Sequence, residues 1–309
     1  MRRQGGITTA DEKRAFIILN PMAGRGKGQG QERPLAETAR EAGWEVLVRK
    51  TRHAGEEIDL AVEAREAGWP VVVAAGGDGT VHNVVNGLLA EGPTNVTLAH
   101  VPVGSGNDYA RSLGLKARAV QQNLPIVLNG TLRRLDVGRL SGEYFVNHLG
   151  VGFDAEAARH TLQMTRLKGF PLYLAAVYKT FGSFVPPEIE VRAAEHSERS
   201  HMMMLGITIG ATMGGGFRVT PDAVVDDGLF DVCVIRRVGL LKFLRYVPSV
   251  VLGKHVGLSE VTMFRTTRVT VTGHSSPLAI QSDGELRYPE QDTVDITILP
   301  NHLKVLCAP

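Results

Sequence analysis

Cysteine is almost missing from this 309-residue chain: only Cys233 and Cys307 occur, far apart and without a Cys-x-x-Cys or histidine-rich context. That excludes a disulfide framework and a cysteine-based zinc site, and it fits a reducing compartment. Charge of one sign is scarce too. A net charge of +2 is too small for an electrostatic nucleic-acid binder, so no nucleic-acid partner is expected. No apolar run approaches the length needed to cross a bilayer. The opening Met1-Arg2-Arg3-Gln4-Gly5-Gly6 leads into polar residues rather than the apolar core of a signal peptide. A cytoplasmic protein is expected, with any membrane contact peripheral. At 43% hydrophobic and 21% charged residues the chain reads as soluble and globular, and its length allows two domains.

What is present centres on one stretch. Val71-Val72-Val73-Ala74-Ala75 runs into Gly76-Gly77-Asp78-Gly79-Thr80, and helical apolar spacing restarts at Val84. A buried strand that passes through glycines into a helix N-terminus can hold phosphate. Glycine lets backbone N–H groups approach closely, and the helix start adds positive potential. Thr80 is placed to cap that helix. Asp78 would repel a polyphosphate unless a cation lay between them, which points to Mg²⁺. An ordinary glycine-rich strand-to-helix turn is the alternative.

The first half repeats this plan. Arg14 to Leu19 reads as a strand that empties into Asn20-Pro21-Met22-Ala23-Gly24-Arg25-Gly26-Lys27, a phosphate-type loop without the Gly-Lys-Ser/Thr of a Walker A motif, or else a solvated surface loop. Pro34 to Ala42 and Gly55 to Ala67 read as helices, and Trp44 to Arg49 as a strand that reaches Thr51. Thr97 to Val101 is a strand that ends in Pro102-Val103-Gly104-Ser105-Gly106-Asn107-Asp108. Strands that leave through polar loops into helices indicate an open, mostly parallel α/β sheet, whose ligands bind beyond the strands' carboxyl ends. Asn20, Thr51, Asp78 and Asp108 all fall there. His53 and His82 stand alone near helix starts and suit hydrogen bonding better than metal binding.

These loops in order, continued by Leu135-Asp136-Val137-Gly138, Asn147 to Asp154, Pro221 to Gly228 and Gln281-Ser282-Asp283-Gly284-Glu285, resemble the diacylglycerol kinase catalytic domain. That fold is shared by soluble bacterial lipid kinases and sphingosine kinases, with NAD kinases more distant. The resemblance covers nearly the whole chain. It implies ATP at the cleft between two domains, bound by Asn20, Thr51, Gly76, Gly77, Asp78, Gly79, Thr80, Gly104, Ser105, Gly106 and Asn107. It also implies Asp78, Asp108 and Asp136 around a catalytic Mg²⁺, and Asp283 as general base supported by Glu285. A structural Mg²⁺ is implied at Asp227 beside Asp226, with the carbonyls of Val224 and Leu229. Where the family often carries Glu, this chain has Asn83, a departure that bears on activity or substrate choice.

Beyond Asp136 the texture changes. Tyr144 to Leu149, Glu188 to Ala193, Met202 to Gly210, Phe230 to Ile235, Arg268 to Thr272 and Leu278 to Gln281 read as strands of an antiparallel sandwich. Asp295 to Leu299 and Leu303 to Leu306 are two further short runs, the last returning by resemblance to the first domain. The expected division is residues 1–137 plus 297–309 for the nucleotide and 138–296 for the lipid. Read physically, Asp222, Asp226 and Asp227 crowd like charges that a divalent cation would relieve, or form an exposed acidic turn. Asp283-Gly284 is also a common hairpin turn. Two apolar stretches with interleaved cations, Leu162 to Pro187 (with Met164, Arg166, Leu167 and Lys168) and Leu240 to Lys254, suit either an interfacial helix or helices packed on the sandwich. Met202-Met203-Met204 reads as strand core rather than a lipid pocket.

The expected activity is ATP-dependent phosphorylation of a lipid hydroxyl at the membrane surface, most plausibly that of diacylglycerol. A sphingoid or long-chain alcohol kinase, an NAD kinase, and a nucleotide-binding regulator without chemistry are the alternatives. A homodimer is left open.

Overall fold

The structure is a computed structural model that describes residues 13–116, 120–163, 169–275, 277–287, 289 and 292–309. Met164, Arg166, Leu167 and Lys168 lie outside the described residues. The chain divides into two compact units, Met1–Asp136 with Asn301–Pro309, and Val137–Pro300.

The first unit contains β1 (Arg14–Leu19), α1 (Ala23–Gly26), α2 (Glu32–Glu41), β2 (Glu45–Lys50), α3 (Glu56–Glu66), β3 (Val71–Gly76), α4 (Asp78–Leu89), β4 (Thr97–Pro102), α5 (Asp108–Ser112), α6 (Val120–Leu128) and the start of β5 (Thr131–Leu140). β2, β1, β3 and β4 pair in that order, all parallel. Lys304 and Val305 of the returning chain pair parallel with Thr97 and Leu98 on the far side of β4. Every residue of β3 and β4 is buried, as the unbroken apolar runs require of central strands in a parallel sheet covered on both faces. α4 begins at Asp78, not at Val84. Its N-cap is Gly77, which gives no side-chain cap bond, so Thr80 sits within the first turn and does not cap.

The second unit adds β6 (Glu143–Phe145), β7 (His148–Gly152), α7 (Phe153–Gln163), α8 (Gly169–Phe181), β8 (Glu188–Arg192), β9 (Ser197–Thr208), β10 (Phe230–Arg236), α9 (Leu240–Val251), β11 (Val261–Thr266), β12 (Arg268–Gly273), β13 (Ile280–Ser282), β14 (Glu285–Arg287) and the first part of β15 (Thr293–Cys307). Its pairings are antiparallel, as anticipated. β9 is long enough to serve two groups of strands: Ser197 to His201 pair with β8, and the residues after them with β7 and β10. β8 continues to β12 and β15, while β7 continues to β13 and β14. Helices α7, α8 and α9 close over a core of Phe153, Met203, Phe217, Phe243 and Tyr246.

Two strand assignments change for identifiable reasons. The run from Tyr144 to Leu149 splits into β6 and β7, because the amides of Val146, Asn147 and His148 turn to the carboxylate of Asp283. The two C-terminal runs form one strand, β15, which bends at Asn301 in the left-handed region (φ 51°), with its N–H held by Asp136. β5, β11 and β14 were not anticipated.

Candidate functional site

The candidate site begins where β1, β3 and β4 end. The amide of Asn20 donates to the Ala75 carbonyl (3.0 Å), and those of Val103 and Gly104 donate to the Gly76 carbonyl (2.8 and 3.3 Å). The approach is so close that a Cβ on Gly104 would lie 2.4 Å from the Cα of Gly77, and one on Gly24 would lie 2.2 Å from the Val103 carbonyl oxygen. Contact at these distances is open only to glycine. The loops after Asn20, Gly76 and Gly104 are therefore one structure rather than three. Thr51 joins them through its amide bond to Leu19 (3.0 Å).

Side chains lock the cluster. Asn20 Nδ2 donates to Glu57 Oε1 (3.0 Å) and Thr80 Oγ1 (3.1 Å), and its Oδ1 accepts from the Met22 amide (2.9 Å). Glu57 is 2% exposed; its Oε2 accepts from Gly55 N–H (3.1 Å) and Asn83 Nδ2 (3.3 Å). Asn20 and Thr80 thus tie the ends of β1 and α4 to the start of α3, with Glu57 as the hub. The sequence marked Asn83 as a missing carboxylate, and the structure supplies one beside it from α3. Glu57 itself was missed; a second Glu in an acidic helix start gives no signal of this role.

Asp78 is half-buried at the first position of α4, and its Oδ1 accepts from the Tyr109 amide (3.0 Å) at the start of α5. Beneath it lies His100, fully buried, whose Nε2–H faces the Gly76 carbonyl (3.3 Å) and whose ring stacks on Tyr109. Burial pushes this imidazole down, against the pull of Asp78. Asp108 is buried and pairs with Arg111 (2.9 Å). Asn107, left-handed at φ 55°, donates to the Gly104 carbonyl (2.8 Å), while its buried Oδ1 finds no hydrogen-bond partner among the described residues. Ser105 is exposed, and the Gly106 carbonyl accepts from Arg111 (2.7 Å). Asp136 is buried and holds the Asn301 amide (2.7 Å), an anchoring role for the returning strand. His53 is exposed and His82 buried.

The arrangement suits a phosphate chain. The first-turn amides of a helix lack intrahelical acceptors, and α4 has no side-chain cap. The diacylglycerol kinase catalytic domain matches residues 14–140, and the YegS C-terminal NAD kinase beta sandwich-like domain matches residues 147–307. A diacylglycerol kinase of Bacillus subtilis is 30% identical over 274 residues, 88% of this chain and 90% of that protein. The chain belongs to the diacylglycerol kinase family of lipid kinases. Its fold agrees with that of a diacylglycerol kinase from Bacillus anthracis (TM-score 0.73, 18% identity, 96% of this chain and 97% of that one). It agrees less closely with an NAD kinase from Archaeoglobus fulgidus solved in complex with ATP (TM-score 0.54, 13% identity, 96% and 94% covered).

In the second unit of this lipid kinase, Asp283 is 1% exposed with φ 48°. Its Oδ2 accepts from Val146 N–H (2.8 Å), and its Oδ1 from the amides of Asn147 and His148 (both 3.0 Å). The carboxylate pins the β6–β7 break to the β13–β14 turn, a structural duty that the expected general base did not include. Glu285, at the start of β14, is half-buried. Gln281 joins this turn to α7: its Oε1 accepts from Gly284 N–H (2.7 Å) and its Nε2 donates to Asp154. Asp154, also bonded by the Tyr173 hydroxyl, lines a small apolar cavity of about 70 Å³. Phe153, Met203, Met204, Met213, Phe243 and Tyr246 are among its walls. Met202, Met203 and Met204 lie in β9, with Met203 in the core and Met204 packed against it, as read, and the latter two also border this cavity.

The acidic segment carries an ion pair where the resemblance implies a structural Mg²⁺. Asp227 Oδ1 accepts from the Leu229 amide (3.1 Å) and its Oδ2 pairs with the Arg265 guanidinium, so an internal cation already answers the charge. Val224 and Asp227 are exposed and Asp226 is half-buried. No group of three or more metal-type side chains converges among the described residues. Arg265 serves Asp231 less well (3.4 Å), and burial, with Asp222 nearby, pushes that carboxyl up to about 6.

Proposed function

We propose that this lipid kinase transfers the γ-phosphate of ATP to the free hydroxyl of diacylglycerol, giving phosphatidic acid. The observation that carries this reading is the apolar cavity whose polar edge, Asp154, connects through Gln281 to the Asp283–Gly284 turn. Acyl chains need an apolar enclosure, and the acceptor hydroxyl needs a fixed hydrogen-bond acceptor at its mouth.

In this mechanism the glycine loops and the α4 N-terminus bind the triphosphate. Asn107 Oδ1, a buried acceptor without a partner among the described residues, awaits a donor from the nucleotide side. Asp78, half-exposed at the edge of the phosphate cradle, is the residue that would hold Mg²⁺, with phosphate and water oxygens as the other ligands. When bound, that ion neutralises charge on the β- and γ-phosphoryl oxygens. The hydroxyl oxygen forms a bond to phosphorus as the bond to the ADP oxygen breaks, and its proton passes to Asp283. Loose phosphoryl transfer asks more of orientation than of basicity, which suits a carboxylate fixed by three amides.

The test is transfer of labelled γ-phosphate to a panel of diacylglycerol, sphingosine, a long-chain alcohol and NAD, with and without Mg²⁺. Magnesium-dependent labelling of diacylglycerol above the others is expected. Preferential labelling of sphingosine or NAD, or ATP binding without transfer to any acceptor, defeats the proposal.

A further inference from the structure

We infer that α9 is the element by which this protein docks on an anionic phospholipid bilayer. α9 has two apolar faces. The inner one, Phe243, Tyr246, Val247 and Val250, is buried and forms part of the cavity wall. The outer one leaves Leu240, Leu241 and Leu244 at 58%, 85% and 44% exposure, and Leu252 at the helix end at 59%. Residues 240, 244, 248 and 252 recur every fourth position, so the outer leucines share one stripe of the helix. α8 offers the contrast: Phe170, Leu174 and Phe181 pack on the core, and only Tyr178 among its large apolar residues stands exposed.

The cations around this stripe select the occupant. From Arg237 to Glu260 the chain carries Arg237, Lys242, Arg245 and Lys254, all exposed, against the single acid Glu260. Glu260 is itself engaged by Lys242 and the Tyr246 hydroxyl. Lys242 stands in the first turn, where a helix favours acids, and no acid occupies that turn. Exposed leucines and a misplaced lysine each cost stability in water. Both become favourable where the helix lies in a headgroup layer of negative charge, with its leucines in the acyl boundary and its cations at the phosphates. Docked this way, the helix would set one wall of the cavity against the bilayer.

The inference builds on the lipid-kinase reading, but its test measures membrane binding and not phosphoryl transfer. The whole protein is sedimented with vesicles of phosphatidylcholine alone or with phosphatidylglycerol added. Binding to the phosphatidylglycerol vesicles, reversed by high salt, is expected. The charge variant Arg245→Ser/Lys254→Ser should bind them about 25-fold more weakly, at roughly fivefold per cation. The apolar variant Leu241→Ser/Leu244→Ser should lose roughly tenfold or more. Both should phosphorylate a short-chain diacylglycerol dissolved as monomers at the wild-type rate. Wild-type indifference to phosphatidylglycerol, unchanged binding by both variants, or lost activity on the dissolved substrate would overturn it. So would light scattering that shows the leucine face to be a dimer contact. Vesicle binding by a protein inactive on every acceptor would defeat the proposed function and leave this inference standing.

Discussion

Asp78 and Asp283 both precede a glycine shortly after a β-strand, and the structure surrounds them differently. Asp78 opens a helix, keeps part of its surface in solvent and accepts one amide across to α5. Asp283 is buried in the left-handed region and accepts three. The same dipeptide thus yields a half-buried carboxylate at a helix start in one unit and a buried one held by three backbone amides in the other.

The comparison breaks most sharply at Asp78. Asp78→Ala should cut kcat by roughly a thousandfold; near-normal turnover would remove Asp78 from the chemistry. Asp283→Asn should do the reverse of what its conservative look suggests. Its NH₂ must face a backbone N–H, which leaves a buried donor without an acceptor and costs about 1–3 kcal/mol of stability. A melting curve equal to wild type would show that the clamp bears no load.

Glu57 sharpens the contrast from a third position, as a buried carboxylate whose donors are two side-chain amides and one backbone amide. Glu57→Gln should raise KM for ATP by roughly tenfold through misplacement of Asn20 and Thr80, with KM for lipid unchanged. Equal effects on both would mark general loosening instead. The smallest effect belongs to Glu260, which charged and hydroxyl partners hold down to about 2, the Lys242 bond first among them. A depressed carboxyl stabilises the fold above its unfolded value near 4.5 and loses that contribution as pH falls toward 2. Wild type should therefore melt above Glu260→Gln at pH 7, and the gap should narrow steadily below pH 4.5. A gap that does not vary with pH would assign Glu260 a packing role only.

The parallel sheet and its glycine loops were legible because each is written in a contiguous stretch: β-branched runs for β1, β3 and β4, and glycines directly after them. Convergence of those loops followed from the rule that such strands end on one side. What could not be read are partners distant in sequence. Asp136 meets Asn301, Asp283 meets the amides of residues 146–148, and Asp227 meets Arg265. In each case the acid was visible, but its role depended on a donor that only the fold supplies. α9 was legible as amphipathic, and which of its two apolar faces would be covered was not.

The pairing of Lys304 and Val305 with β4 sets the order of events at the ribosome. The bulk of the first unit is translated first, yet the residues that pair with β4 on its far side follow the whole second unit. Until then β4 offers open backbone groups to any neighbouring chain. A fragment that stops at Asp136 should self-associate, and the whole second unit has the chance to fold before the first is sealed.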